Sequence, residues 1–237
     1  MVSSCRQSTR GVICYRRGNT FKMGDPILQE SLGSLVANQL RQRIWNKEIQ
    51  FGERLIESDL SEQFGVSRNT IRDALKILEY EEMVVSKPRK GTYVSQFSNK
   101  DWREMIELRT IIESYAFVKA LPHLDEKHFK KLEKTLDQMK IIADNKDWAK
   151  LFDLDMKFHS YIVKLSGNSR IIKIYESIQV QIRTFLVHLD KYYSSHISFY
   201  EEQKELFETL LTKDPEKIKE KIRTHIEYVE GQLLADD

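Results

Sequence analysis

The chain has 237 residues, 41% hydrophobic and 31% charged, which describes a soluble globular protein of one large domain or two small ones. No run approaches the roughly 20 consecutive apolar residues that span a bilayer, so no membrane partner is expected, and nine Gly with four Pro favour long helices over many short strands. The net charge of +2 is unevenly spread: residues 1–98 carry 15 Lys/Arg against 11 Asp/Glu, and residues 99–237 carry 23 against 25, so a polyanion suits the front of the chain better than the back.

The opening segment, MVSSCRQSTRGVICYRRGNTFK, has four arginines, one lysine and no acid, and lacks the apolar stretch of a secretory signal. Residues 1–24 read as a disordered leader or as an upstream start ahead of Met23, although an organelle transit peptide shares the composition. Cys5 and Cys14 both fall there, with neither metal-site spacing nor a disulfide framework, which suits a reducing cytoplasm.

From about Ile27, apolar residues Leu28, Leu32, Leu35, Val36, Leu40 and Ile44 recur at helical spacing until Asn46. Two shorter helices follow: one capped by Ser58 and running to Phe64, and one capped by Ser67 and spanning 68–82, with Gly65 breaking the chain between them. The period then changes. MVVSKPRKGTYVSQF is β-branched and aromatic around a basic turn at Pro88 and Gly91, and reads as a two-stranded hairpin. Helix, helix, turn, helix and hairpin, over residues 25–97, is the order of a winged helix-turn-helix. Residues 98–237 read as all helical, at 99–120, 125–144, 147–166, 168–194, 197–212 and 215–235, with Asp214 and Pro215 opening the last. The fold class is therefore mostly α: a winged helix-turn-helix with a small β-hairpin wing, then an antiparallel helical bundle able to enclose a pocket.

SDLSEQFGVSRNTIRDALKIL carries the most specific signal. A helix-turn-helix needs a tight glycine turn and a second helix whose first turn bears short polar and arginine side chains for the major groove. Gly65 supplies the turn. Ser67, Arg68, Asn69, Thr70 and Arg72 supply the chemistry, while Val66, Ile71 and Leu75 lock the helix in place. With Gly52, Leu55, Glu57, Leu60, Ala74, Pro88 and Val94 in register, this region resembles the winged-helix domain of GntR-type bacterial transcription regulators. The resemblance implies DNA contact by Arg68, Asn69, Thr70 and Arg72, and by Lys90, Gly91 and Thr92 of the wing. Some members carry an arginine where this chain has Ser58.

LFDLDMKFHSYI at 151–162 poses a different question. Asp155 and His159 are one turn apart on a helix, about 5–6 Å at Cβ, close enough to share a divalent ion. They fall within the apolar stripe of Leu151, Leu154, Phe158, Ile162 and Leu165, where a carboxylate is costly unless paired or metal-bound. His225 lies in line with Ile218, Ile222, Ile226, Val229 and Leu233, and Gln203 with Phe199, Leu206, Phe207 and Leu210. Three readings stay open for Asp155, His159 and His225: a metal-linked effector site, a metal-free effector pocket, or a buried polar network without a ligand. His123, His128, His188 and His196 read as surface or packing residues.

LRTIIE at 108–113, DMKFHSYIVKLSGN at 155–168 and KDPEKIKEKIRTHI at 213–226 resemble the FCD effector domain of the FadR-like branch. The resemblance implies one divalent ion per chain (Zn, Ni or Mn) on Asp155, His159 and His225. Gln203 stands where those members usually have a further histidine, and an amide carbonyl is a poor ligand for zinc or nickel. Arg109 matches an arginine that faces the family's pocket and suits an anionic effector such as a carboxylate or sugar acid. A salt bridge to Glu113 is the alternative. The functional expectation is a ligand-responsive repressor binding an inverted-repeat operator in double-stranded DNA as a homodimer. An architectural DNA binder and a DNA-tethered metal enzyme are the alternatives, the latter without any H-E-x-x-H, G-x-S-x-G or phosphate-cradling glycine motif.

Overall fold

The structure is a computed structural model that describes residues 5–8, 11–16, 19–22, 30–189 and 194–227. Residues 5–8, 11–16 and 19–22, within the segment read as a disordered leader or an upstream start, pair as an antiparallel meander of β1 (Cys5–Ser8), β2 (Gly11–Arg16) and β3 (Asn19–Lys22). The remainder of the proposed leader, and Leu28 of the first apolar stripe, lie outside the described residues.

The head starts with α1 (Leu32–Trp45), capped by Ser31, whose hydroxyl accepts from the Ser34 amide at 3.0 Å. Its buried face, Val36, Ala37, Leu40 and Ile44, packs on Ile71, Ala74, Leu75 and Leu78 of α3 (Arg68–Tyr80). α2 (Glu57–Phe64) begins one residue before the expected cap. Its N-cap is Ile56, without a side-chain bond, and Ser58 turns its hydroxyl to Asp59 instead. Gly65 ends α2 at φ +63°, and an added Cβ would meet nothing within 4 Å, so the turn needs glycine for its backbone conformation and not for space.

The wing has three strands where the pattern predicted two. β5 (Val84–Lys87) and β6 (Gly91–Val94) form the hairpin, and β4 (Arg54–Leu55) joins the other edge of β6, giving the order β4-β6-β5. Two residues are too short to show a period of their own, so β4 is set by pairing: Arg54 opposite Tyr93 and Leu55 opposite Thr92. That register ties the wing to the entry of α2.

The bundle consists of α4 (Asn99–Ala120), α5 (Glu126–Asp144), α6 (Trp148–Leu165), α7 (Ser169–Leu189), α8 (His196–Leu211) and α9 (Pro215–Glu227). Ser98 with Asp101 and Asp125 with His128 form capping boxes on α4 and α5, and Asp147 caps α6. Leu121–His123 closes α4 as a short 3-10 turn at Pro122. Residues 190–193 of the fourth expected bundle helix lie outside the described residues, and Ser194, its expected end, is a bend; the end expected for the sixth near 235, with Val229 and Leu233, also lies outside them. A continuous apolar core runs through α4 to α9, with Phe117, Phe152, Phe158, Leu151, Ile162, Leu206, Ile218 and Ile222 almost wholly excluded from solvent. Each such side chain contributes about 1.5–3 kcal/mol.

Candidate functional site

On the head, Arg68, Asn69 and Arg72 stand exposed on the first turns of α3. Ser67 and Thr70 are partly engaged: the Ser67 hydroxyl accepts from the Thr70 amide at 3.2 Å, and the two hydroxyls lie 2.9 Å apart. They set the helix start that aims Arg68 and Asn69, and α3 thereby presents its N-terminal amides with them. The Arg72 guanidinium donates from Nε to Glu57 at 2.8 Å. Lys90 and Gly91 lie exposed at the wing tip, and the Thr92 hydroxyl, half-buried, meets Ser86 at 3.3 Å. Gly91 has φ +105°, and a Cβ there would come within 3.1 Å of Arg54 Nε. Arg54 thus adds a cation beside the wing tip that sequence reasoning missed, because β4 brings it there through pairing.

In the bundle, the inward-facing polar residues meet in one buried cluster. Arg109 and Glu113 come from α4, Asp155 and His159 from α6, Gln203 from α8 and His225 from α9. Arg109 Nε donates to Glu113 at 2.6 Å, and the other Glu113 oxygen meets His159 Nδ1 at 2.5 Å. His159 Nε2 lies 3.3 Å from Gln203 Oε1 and 3.5 Å from an Asp155 oxygen. The His225 ring stacks on His159 at 5.2 Å. The two expectations for Arg109 therefore coexist: its Nε pairs with Glu113, while Nη2 has no hydrogen-bond partner and sits 3.9 Å from Asp155 Oδ2.

Electrostatics follow from this geometry. Burial alone would raise the Glu113 carboxyl, but the Arg109 and His159 charges outweigh it and hold the group at about 2. Burial raises the Asp155 carboxyl, only partly countered by His159 and Arg109. Burial would lower His159, yet Glu113 and Asp155 raise it. Burial and the neighbouring His159 push His225 well below its usual range, which keeps its ring neutral. Glu113 is thus the central counter-ion, and its i+4 spacing from Arg109 was its only sequence signal.

The donor atoms of Asp155, His159 and His225 lie within 4.8 Å of one another. Asp155 Oδ2 and His225 Nδ1 have no hydrogen-bond partner, and the Glu113 contact on Nδ1 turns His159 Nε2 toward the cluster. A carboxylate and two imidazoles so arranged fit a divalent ion. The adjoining cavity, lined by Arg109, Asp155, His225, Ile182, Phe185 and Leu186 among others, measures about 30 Å³, room for an ion or a water or two. A larger open cleft of about 810 Å³ lies elsewhere, between α1 and the α5–α7 face, with Trp45, Lys131, Lys157, Lys164 and Arg183 on its walls. Among the described residues no helix is long and apolar enough to cross a membrane.

Comparison with known proteins agrees with this architecture. The FCD domain profile matches residues 104–228, and that of the bacterial regulatory proteins of the gntR family matches residues 20–94. The chain is 27% identical over 208 residues to the gluconate operon transcriptional repressor of Bacillus licheniformis, covering 86% of this chain and 85% of that one. It is 23% identical over 201 residues to the protein named probable D-xylose utilization operon transcriptional repressor of Paenarthrobacter nicotinovorans, covering 81% and 85%. Its fold is similar to that of a GntR transcriptional regulator from Rhodococcus sp. RHA1, with a TM-score of 0.74 at 24% identity over 87% of this chain and 99% of that one. McbR/YncC of E. coli superposes with a TM-score of 0.72 at 20% identity over 88% and 99%. A winged helix joined to an FCD bundle, matched in sequence and in fold, makes the chain a member of the GntR family of bacterial transcriptional regulators, of the FadR-like architecture, and not an enzyme.

Proposed function

We propose that this regulator is a ligand-responsive repressor that binds an inverted-repeat operator as a homodimer and releases it when a small hydroxylated carboxylate enters the bundle. Arg68, Asn69 and Arg72 read the major groove, Ser67 and Thr70 set their helix, and Lys90, Gly91 and Thr92 bring the wing to the adjacent groove. Support for a dimer comes from α4, which exposes Leu108, Ile111 and Tyr115 along one face at 38%, 70% and 50%.

The observation that carries the effector reading is the set of buried polar atoms without a hydrogen-bond partner: Arg109 Nη2, Gln203 Nε2, Asp155 Oδ2 and His225 Nδ1. Buried polar groups are rarely left unpaired, so a ligand that completes them is the economical explanation. The first two donate and suit a carboxylate, and Asp155 accepts from a hydroxyl, a combination that a sugar acid provides. Relatives that repress the gluconate operon make gluconate the first probe. Asp155, His159 and His225 would hold a divalent ion, with Gln203 Oε1 as a weak fourth ligand, and the ion would supply a Lewis-acidic position for a ligand oxygen.

A native mass spectrum of protein purified without chelators or a metal-affinity tag tests this reading. A dimer carrying one ion per chain, or one that gains gluconate or a related sugar acid, supports it. A monomer that binds neither manganese, zinc nor any sugar acid contradicts it. A second reading places the effector in the 810 Å³ cleft, favoured by volume and by its lysines. Loss of ligand binding in Lys157→Glu, with Gln203→Leu unaffected, would select it.

A further inference from the structure

We infer that one turn of α7, residues 182–186, serves as both the wall of the buried cavity and the clasp on the DNA-binding head, so that filling the cavity loosens the head. This rests on the cavity being the effector site. Ile182, Phe185 and Leu186 face the cavity opposite Arg109, Asp155 and His225. Of the two residues between them, Thr184 meets the head, and Arg183, held to α6 by Asp153 at 2.9 Å and the Ala149 carbonyl at 2.8 Å, lies over Trp45. Thr184 Oγ1 accepts from Trp45 Nε1 at 3.0 Å, and the Arg183 guanidinium lies 5.2 Å from the Trp45 ring and 5.3 Å from that of Phe152. Trp45 ends α1 of the head. Phe185 also touches the connection between wing and bundle: its ring is 4.4 Å from Phe97 and 4.2 Å from Trp102, and Phe97 reaches Phe51 of the head at 6.2 Å.

Volume makes the sharing consequential. The cavity holds about 30 Å³, whereas ligand pockets usually measure roughly 300 Å³ or more. A sugar acid therefore cannot enter unless a wall moves. The wall of Arg109, Asp155 and His225 is fixed by buried ion pairs and by packing against the bundle core. The α7 wall shares that core through Ile182 and Leu186, whereas Phe185 rests on Phe97 and Trp102 at the join of head and bundle, an edge contact that yields sooner than a close-packed core. Phe185 cannot leave the cavity without disturbing Phe97, and an outward shift of its turn presses Thr184 against Trp45 and misaligns their hydrogen bond. The ligand's differential affinity for the loosened state is what couples the two sites.

Leu186→Phe tests this without a ligand, because it places extra volume in the wall. Hydrogen exchange on the full-length protein is the readout. The inference predicts amide exchange at residues 44–51 and 95–99 about 10-fold faster or more, with the α5 and α8 amides unchanged. Trp45→Phe, which removes the indole N–H and keeps an aromatic ring, should speed the same segments, and the two changes together should give less than the sum of their effects. Unchanged exchange at 44–51 and 95–99 in a folded Leu186→Phe protein overturns the inference. Should that variant fail to fold, Phe185→Leu replaces it: faster exchange in both segments supports the clasp, and unchanged exchange overturns it. Failure of sugar acids to bind would remove the effector reading and leave the exchange result standing.

Discussion

The head carries its working residues on the outside of a packed small domain, while the bundle carries its own at the centre of the core. Arg68, Asn69, Arg72 and Lys90 are exposed, and among the described residues only the Arg72–Glu57 pair restrains their side chains. Glu113, His159 and Gln203 are fully excluded from solvent. An exposed cation costs the fold almost nothing and can wait for a phosphate. A buried one persists only while its partners do, so the bundle had to assemble Arg109, Glu113, His159 and Asp155 as a unit. Damage to the head should therefore impair function and spare stability, and damage to the bundle cluster should affect both.

The largest effect is expected at Glu113. Glu113→Ala leaves Arg109 and His159 buried without their shared carboxylate and should cost about 3–5 kcal/mol, read by urea denaturation at pH 7. The same carboxyl gives the comparison a pH signature. Its folded value of about 2 lies below the usual 4.5, so its contribution to stability is fully present above pH 4.5 and is lost as pH falls through about 2. Glu113→Gln should flatten that part of the acid limb, while substitutions on the head leave it unchanged.

Arg72→Ala comes next and should divide the two regions cleanly. Operator affinity should fall by about 1–3 kcal/mol, with a log–log salt slope shallower by roughly 0.9 if Arg72 contacts a phosphate, and the melting curve should stay in place. A matching loss of stability would mean that the Glu57 pair is structural. Gel-shift titration at several salt concentrations reads the first effect and calorimetry the second. Ser67→Ala should be smaller still, about 1 kcal/mol of head stability through the lost cap, with weakened DNA binding as the first turn of α3 frays. Gly91→Ala, forced into φ +105° beside Arg54, should cost a similar amount and weaken wing contact more than it weakens folding.

The same contrast governs what could be read from the sequence. Apolar spacing located α1, α3 and the bundle helices, because a helix needing one buried face repeats it every three or four residues. The turn at Gly65 was legible because few residues other than glycine adopt φ +63° readily. Asp155, His159, His225 and Gln203 could be placed inward individually from the stripes they interrupt. That Asp155, His159 and His225 meet was implied only by the family resemblance, since it depends on how α6, α8 and α9 pack. Glu113 was visible only as a local partner of Arg109, because its bond to His159 spans 46 positions. Ser58 misled as a cap because the short β4 strand fixes Ile56 in the cap position ahead of it. The clasp of Trp45, Thr184 and Phe185 had no sequence signal, being an interdomain contact made by residues that each look like ordinary core.

Control of the exposed residues by the buried cluster would show most plainly in an operator-binding titration. An operator duplex selected from a random pool would be titrated with wild-type protein and with Gln203→Leu, each with and without gluconate and related sugar acids. The account predicts that at least one such acid weakens wild-type binding and has no effect on Gln203→Leu. An acid that weakens both proteins equally would contradict it, because the signal would then originate outside the cluster.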